Sequence, residues 1–348
     1  TNEIIPFSSN QWVFAGDNYV IVDYLGQPSL HLTGQNNQVF LPNANFLNGT
    51  IEFDVALPNK RTFLGLMFRM EDASNYEEFY FRPHQSGNPD ANQYSPVYNG
   101  INGWQLYTGP GYATPISYHY DDWTHVKIVV SGSRAEIYLN GVTQPAIYLP
   151  NLHRKPQVGG IGVWGRDGYF ANFRYSTAEP PAIQNEPVTL ASMEKGTVTQ
   201  WMVSQPISGE DIWEDISLSD SQKSSLKWQS LKSENSGTAN LAQLNGVSEG
   251  LNTVFAKIII NSEREQVKEF AFGFSDAAKV YLNDRAIYTG KDNFRSRDYR
   301  FLGTIGYFDS LFLPLKKGKN ELWVAIYEGF GGWAIRGKFL DMEGVSVE

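Results

Sequence analysis

Short hydrophobic runs, broken again and again by turn residues, set the tightest limit on what this chain can fold into. From Trp12 onward WVFAG, YVIVDYLG, SLHLTG, QVFLPN and GTIEFDVALPN each fit one short strand, and TFLGLMFRM (62–70) continues the series. Trp123–Ser131 and Arg134–Leu139 follow, separated by Gly132-Ser133, a pair suited to a hairpin turn. Val158–Trp164 and Tyr169–Tyr175 complete the first half, which contains no helical period of useful length. Strands of this length with turn signals about every 8–12 residues predict a sandwich of two antiparallel sheets.

The chain has 348 residues, more than one hydrophobic core normally serves, so two domains are expected. Aromatic residues reach 14% and charged residues 19%, which allows large cores and argues against disorder. A net charge of −9, spread over both halves, disfavours nucleic acid, which requires a basic face. There is no Lys/Arg-rich amphipathic segment for a membrane surface, and no apolar run approaches the roughly 18 residues of a membrane span. The absence of cysteine excludes disulfides, thiol catalysis and cysteine-held metal centres. The first residue is Thr1 rather than Met, and the expectation is an extracellular or periplasmic protein whose signal peptide is removed.

Three runs in residues 1–176 carry a family likeness: FLNGTIEFDV (46–55), WTHVKIVV with AEIYLNG (123–141), and GGIGVW with YFANFRY (159–175). Their order resembles the concanavalin A-like, laminin-G-like jelly roll of lectins and endoglucanases. Ser176–Leu190 has three prolines and no strand pattern, so residues 177–190 read as a semi-rigid linker. Residues 191–348 open with a strand near Thr197–Val203, then a polar stretch with a short helix near Ser219–Ser225. Strand patterns return from Asn252. WQSL with SGTANL (228–241), FGFSDAAKVYLNDR (272–285), LPLKKGKNELWVAI (313–326) and FGGWAIRG (330–337) resemble the galactose-binding-like jelly roll of bacterial carbohydrate-active proteins. The resemblance implies that the KKGxN turn (316–320) joins two strands and that Asn283-Asp284 sits on a hairpin. The fold class expected is therefore all-β, with two β-sandwich jelly rolls.

Tyr76–Tyr107 is the stretch richest in chemistry. Tyr76, Phe79, Tyr80, Phe81, Tyr94, Tyr98, Trp104 and Tyr107 alternate with Glu77, Glu78, Arg82, His84, Asp90, Gln93, Asn99 and Gln105. Two strands, Glu78–Arg82 and Gly103–Tyr107, are expected around a long Asn/Gly/Pro/Ser loop. Aromatic faces beside directed donors and acceptors suit a sugar ring, and Tyr80, Gln93, Tyr94, Asn99, Trp104 and Gln105 are the candidate ligand-binding residues. The same pattern also fits a tyrosine-rich sandwich core under a solvated loop.

Other constellations bear on catalysis and metal. Glu52 and Asp54 share one face of a strand. The retaining glucanases of the resembled fold carry E-x-D-x-x-E with its outer carboxylates about 5–5.5 Å apart. Leu57 stands here in the third place, so these two residues read as a polar outer face. Glu78, Arg82 and His84 are candidate catalytic residues for β-elimination, with Arg82 neutralising a uronate; a Glu–Arg salt bridge is the plainer reading. His31, His119, His125 and His153 have no role in this pattern. The two resemblances imply a structural calcium near the chain ends, with Asp17 and Asn172 as candidates in the first half and Ser262 or Asp341 in the second. Arg295, Arg297, Asp298, Tyr299 and Arg300 suit either an anionic sugar or a contact between domains. The function expected is carbohydrate binding by the first domain, with poly- or oligosaccharide as partner. A glycoside hydrolase or polysaccharide lyase is the alternative, and a structural module without glycan the third reading.

Overall fold

The computed structural model describes residues 2–35, 37–210 and 212–348. The described chain is 48% strand and 3% helix and divides into two compact units. One comprises the residues up to Gly100 together with Tyr107–Val188, and the other Ile101–Leu106 together with Thr189–Glu348.

The first unit is a sandwich of two antiparallel sheets. One runs, in spatial order, Val13–Ala15, Gln38–Phe46, Gly159–Gly165, Leu64–Asp72, Asn75–Phe81, Asn92–Tyr98. The other runs Ile147–Leu149, Arg134–Leu139, Trp123–Ser131, Gly49–Ala56, Tyr169–Ser176, Gln27–Leu32, Tyr19–Tyr24. Alternation along each strand explains the layering. In Gly49–Ala56 the side chains of Ile51, Phe53 and Val55 are buried, while Glu52 and Asp54 turn to the outer face. Phe46, Phe53, Phe68, Phe79, Phe170 and Phe173 fill the space between the sheets. The stretch expected to be linker is held on this unit. Asn185 donates its N–H and its side-chain amide to Glu136, and Arg134 donates to the Asn185 carbonyl.

Asn92–Tyr98 is a strand paired along Asn75–Phe81, although its Asn, Ser and Pro read as loop. Conversely, Gly103–Tyr107, expected as a strand, is a turn in which Leu106 N–H bonds the Gly103 carbonyl. Cross-strand pairing with Glu77, Phe79 and Phe81 overrides the weak local propensity of NQYSPVY. Arg69 also departs from the expected pattern. It lies inside the unit at 2% exposure, with its guanidinium donating to the carbonyls of Leu47 and Gly132 and to Asn48 Oδ1.

The second unit is another two-sheet sandwich. One sheet runs Trp228–Lys232, Gln200–Ser204, Thr253–Ser262, Gly318–Tyr327, Ala277–Leu282, Arg285–Lys291, and the other Ala239–Asn240, Ala334–Phe339, Gln266–Ser275, Asp309–Leu315. Trp201 from the first sheet comes up against Gly337 and Phe270 of the second, where any Cβ on residue 337 would strike the Phe270 ring. Asn283 and Asp284 have φ of 48° and 72°, the left-handed pair that closes a tight hairpin. Asn320 locks the turn before it, donating to the carbonyls of Lys316 and Gly318. The short helix Asp220–Ser224 is capped by Ser219 and Gln222 in a reciprocal capping box.

Candidate functional site

The stretch Tyr76–Tyr107 does not form one site. Tyr94 is fully buried in the core of the first unit; its hydroxyl donates to Glu77 and accepts from the His153 N–H at 2.7 Å. Tyr80, Arg82 and Gln93 form a closed network. Arg82 donates to the Tyr80 hydroxyl at 2.7 Å and to Gln93 Oε1, while the Gln93 amide donates to the Tyr107 carbonyl at 2.5 Å. Arg82 also lies over the Tyr80 ring and donates to the Asp90 carbonyl at 3.1 Å. All three side chains are buried, so the network holds Asn75–Phe81, Asn92–Tyr98 and the intervening loop together. Asn99 is exposed in a turn at φ 49°, its N–H bonded to Asn75. Trp104 and Gln105 belong to the second unit: Trp104 packs on Phe294 and Phe330, and Gln105 bonds the main chain of Gly331, Leu302 and Ile305.

Of the three candidate catalytic residues, Glu78 is buried on the outer face of its strand, beside Met67 and Ser95 in register. His84 lies edge-on to Phe63 at 5.4 Å. Burial, reinforced by Arg61 and Arg82, lowers its pKa, so it is neutral at pH 7.

Three of the four residues named for calcium are engaged with protein partners. Asp17 is exposed, and Asn172 uses its amide as a donor to Asp54 at 2.7 Å. Asp341 pairs with Lys268, and Ser262 donates to the Arg264 carbonyl. Among the described residues no three His, Cys, Asp or Glu side chains are grouped to hold a metal ion.

His125 proves to have partners. Its Nδ1 is 2.7 Å from Asp54 and its Nε2 3.0 Å from Glu52, which Arg174 also contacts at 2.7 Å. Burial alone would raise the Glu52 pKa, yet hydrogen bonds from Arg174 and His125 outweigh it and lower the value. On this outer face Glu52, Asp54, His125, Asn172 and Arg174 bond one another.

An open site lies farther along the same sheet face. Tyr169 pairs with His31 on one side and with Ala56 on the other, and Ala56 pairs with Trp123. The Tyr24 ring, from the edge strand, contacts both Trp123 and Tyr169. Tyr24 stacks on Tyr169 at 3.7 Å and 5°, Tyr169 on His31 at 4.2 Å and 15°, and the Trp123 ring meets Tyr24 edge-on at 5.7 Å. Three loops wall this stack. The 57–63 loop brings Pro58, Asn59 and Lys60, the segment before Trp123 brings Asp121, and the 166–168 turn brings Asp167. The loops are tied to one another through Asp121 N–H to Leu57 and Thr62 Oγ1 to Arg166, and to the sandwich through Asp167 N–H to Leu32.

The resulting cleft encloses about 410 Å³, inside the size range of ligand pockets. Among the described lining residues its one cation, Lys60, pairs with Asp167 at 3.2 Å, and Asp121 adds a second carboxylate. Burial, with Lys60 nearby, holds His31 below the usual imidazole value against the pull of Asp167, so the ring is neutral at pH 7. Burial and Asp121 raise the Tyr24 phenol, which keeps its proton and can donate. The sequence signal for this site is faint. Tyr24 closes a strand before Leu25 and Gly26, a two-residue hairpin with φ of 47° and 77°, but nothing local joins it to Tyr169.

No family model matches the chain, and no curated protein matches it. Among solved structures it is similar to a carbohydrate-binding module from Bacillus subtilis, at 19% identity and a TM-score of 0.36 over 49% of this chain and 96% of that one. It is similar to a Bacillus licheniformis β-glucanase at 12% identity and a TM-score of 0.37, covering 51% and 100% of the two chains. Chicken galectin 2 matches at 11% identity and a TM-score of 0.32, over 39% of this chain and 95% of that one. Likenesses this distant leave the assignment to the site itself.

Proposed function

We propose that the first unit binds a neutral carbohydrate in the Tyr24–Tyr169–His31 cleft. The observation that supports this reading is the three-ring stack set among phenol, amide, ammonium and carboxylate groups in an open cavity. Both faces of the middle ring, Tyr169, are covered by its neighbours, so it offers a ligand its edge and hydroxyl. A polyhydroxy ligand supplies the complementary donors and acceptors. The stack lowers the entropy cost of holding the protein side in place. One cation against two carboxylates leaves the described lining slightly acidic, which disfavours uronates and sulfated sugars.

A glycan array followed by calorimetry on the best neutral ligand tests the reading. Tyr169→Phe keeps the stack and removes one hydroxyl. Its affinity should fall roughly two- to tenfold with the melting temperature unchanged, the loss of about 0.5–1.5 kcal/mol expected for one neutral hydrogen bond. Unaltered affinity would remove the cleft from consideration. New reducing ends or unsaturated uronates appearing during incubation would show an enzyme in place of a binder.

A further inference from the structure

The strand Tyr19–Tyr24 is the last of its sheet, and its composition is unusual for an exposed edge. Edge strands are commonly blunted by short length, charge or proline. Val13–Ala15 and Ile147–Leu149, at other edges of the first unit, are three residues each. Tyr19–Tyr24 has six residues, YVIVDY, with Asp23 its one charge. Val20, Ile21 and Val22 are 49%, 42% and 40% exposed.

Register shows where this apolar surface lies. Val20 pairs with His31 and Val22 with Ser29, and opposite residues of an antiparallel pair share a face. His31 in turn pairs with Tyr169, so Val20 and Val22 lie on the outer face that carries the ring stack. Tyr24, two residues beyond Val22, shares that face and stacks on Tyr169. The strip therefore adjoins the cleft twice, across the strand pair at His31 and along the strand at Tyr24. Leu25 extends it, 52% exposed at φ 47° in the turn with Gly26. Left-handed backbone disfavours a leucine and suits Asn, Asp or Gly. Strain kept at an exposed position beside a cleft points to a use for the side chain.

We infer that Val20, Val22 and Leu25 form an aglycone subsite, along which the saccharide held in the cleft lays an apolar substituent. The inference rests on the reading of the cleft as a carbohydrate site and sharpens the ligand class to an amphipathic glycoside. Apolar carbon that strip and substituent otherwise expose to water is buried when they meet. The size of the strip selects a small group over a second copy of the chain. A stable protein interface takes about 800 Å² and roughly 20–30 residues from each side, far more than these side chains supply. Val20 and Val22 stand about 7 Å apart along the strand, a span that a phenyl ring or a butyl chain bridges.

The test titrates the full chain by calorimetry with methyl, n-butyl and phenyl glycosides of D-glucose, D-galactose, D-mannose and D-xylose, in both anomers. At least one sugar should bind about tenfold more tightly as its phenyl or butyl glycoside than as its methyl glycoside. Val20→Thr combined with Val22→Thr keeps the β-branched shape and the strand propensity, and should cut that ratio to about threefold or less. Leu25→Asn suits the left-handed turn, so it should lower the ratio while the melting temperature holds or rises. A methyl glycoside that binds as well as its phenyl and butyl counterparts overturns the inference and leaves the cleft reading standing. So does a ratio that survives both variants. Binding of no glycoside of any kind overturns both. Light scattering that shows a dimer in the parent and a monomer in the threonine variant assigns the strip to a second copy, and overturns the inference as well.

Discussion

Near pH 9 the Glu328→Gln variant should melt well above the parent protein, while near pH 4 the two should melt together. Glu328 is 4% exposed in the second unit, and burial, with Asp276 beside it, pushes its pKa up to about 9. Asp276 is raised by burial as well, although its carboxylate accepts from the N–H groups of Gly329 and Phe330 at 2.7 and 2.8 Å. The folded-state value of Glu328 lies above the ordinary 4.5. Its contribution to stability is therefore fully present below about pH 4.5 and is lost as pH rises through about 9. At ~1.4 kcal/mol per pH unit the loss is roughly 3–6 kcal/mol, the lower figure allowing for proton sharing with Asp276. Asp292, raised to about 7 by burial against the opposing charge of Arg297, adds a second loss between its ordinary 3.8 and neutrality. The glutamine side chain of the variant would supply an amide donor to Asp276 and stay neutral at every pH. Calorimetric melting from about pH 4 to 9, with hydrogen exchange along Gly318–Tyr327 to identify the unit, measures the effect. Parallel pH profiles for parent and variant would show that Glu328 ionises without cost.

Arg69→Ala should destabilise the first unit by about 3–5 kcal/mol, among the larger effects of a single substitution. The guanidinium bridges two chain segments from inside the fold, through Leu47 and Asn48 on one side and Gly132 on the other. Its removal strands these acceptors in the interior and opens a cavity. It also removes one of the two cations near Glu77, a fully buried carboxyl that burial raises to about 7, against hydrogen bonds from Tyr94 and Arg154 and the charges of Arg154 and Arg69. Arg69→Lys keeps the charge but cannot span all three acceptors, so it should recover only part of the loss. Urea denaturation read by exchange along Leu64–Asp72 gives the number. A loss below about 1 kcal/mol for the alanine variant would place the group among idle surface charges.

Local chemistry along the chain determined the class of fold. Alternation in GTIEFDVA sends Ile51, Phe53 and Val55 inward and Glu52 and Asp54 outward wherever the strand is placed, because the side-chain period of a strand is two. The Gly132-Ser133 turn and the short helix near Ser219 likewise act within a few residues and could be read in advance, whereas the Asn283-Asp284 hairpin was expected from the family resemblance.

Tertiary structure alone decided which polar and aromatic residues meet. NQYSPVY became a strand because Tyr76–Phe81 offered it a partner, and Arg69, in a run that reads as ordinary strand, became an internal clamp. Trp104 and Gln105 lie beside Tyr98 in sequence, yet they pack on residues of the second unit about two hundred positions later. Tyr24, His31 and Tyr169 acquired their stack through strands far apart in the chain. Period and turn chemistry are local and survive in any register, whereas a binding cleft depends on which strands become neighbours. Pairing and burial of the whole chain fix those neighbours, and no short stretch of this sequence contains that information.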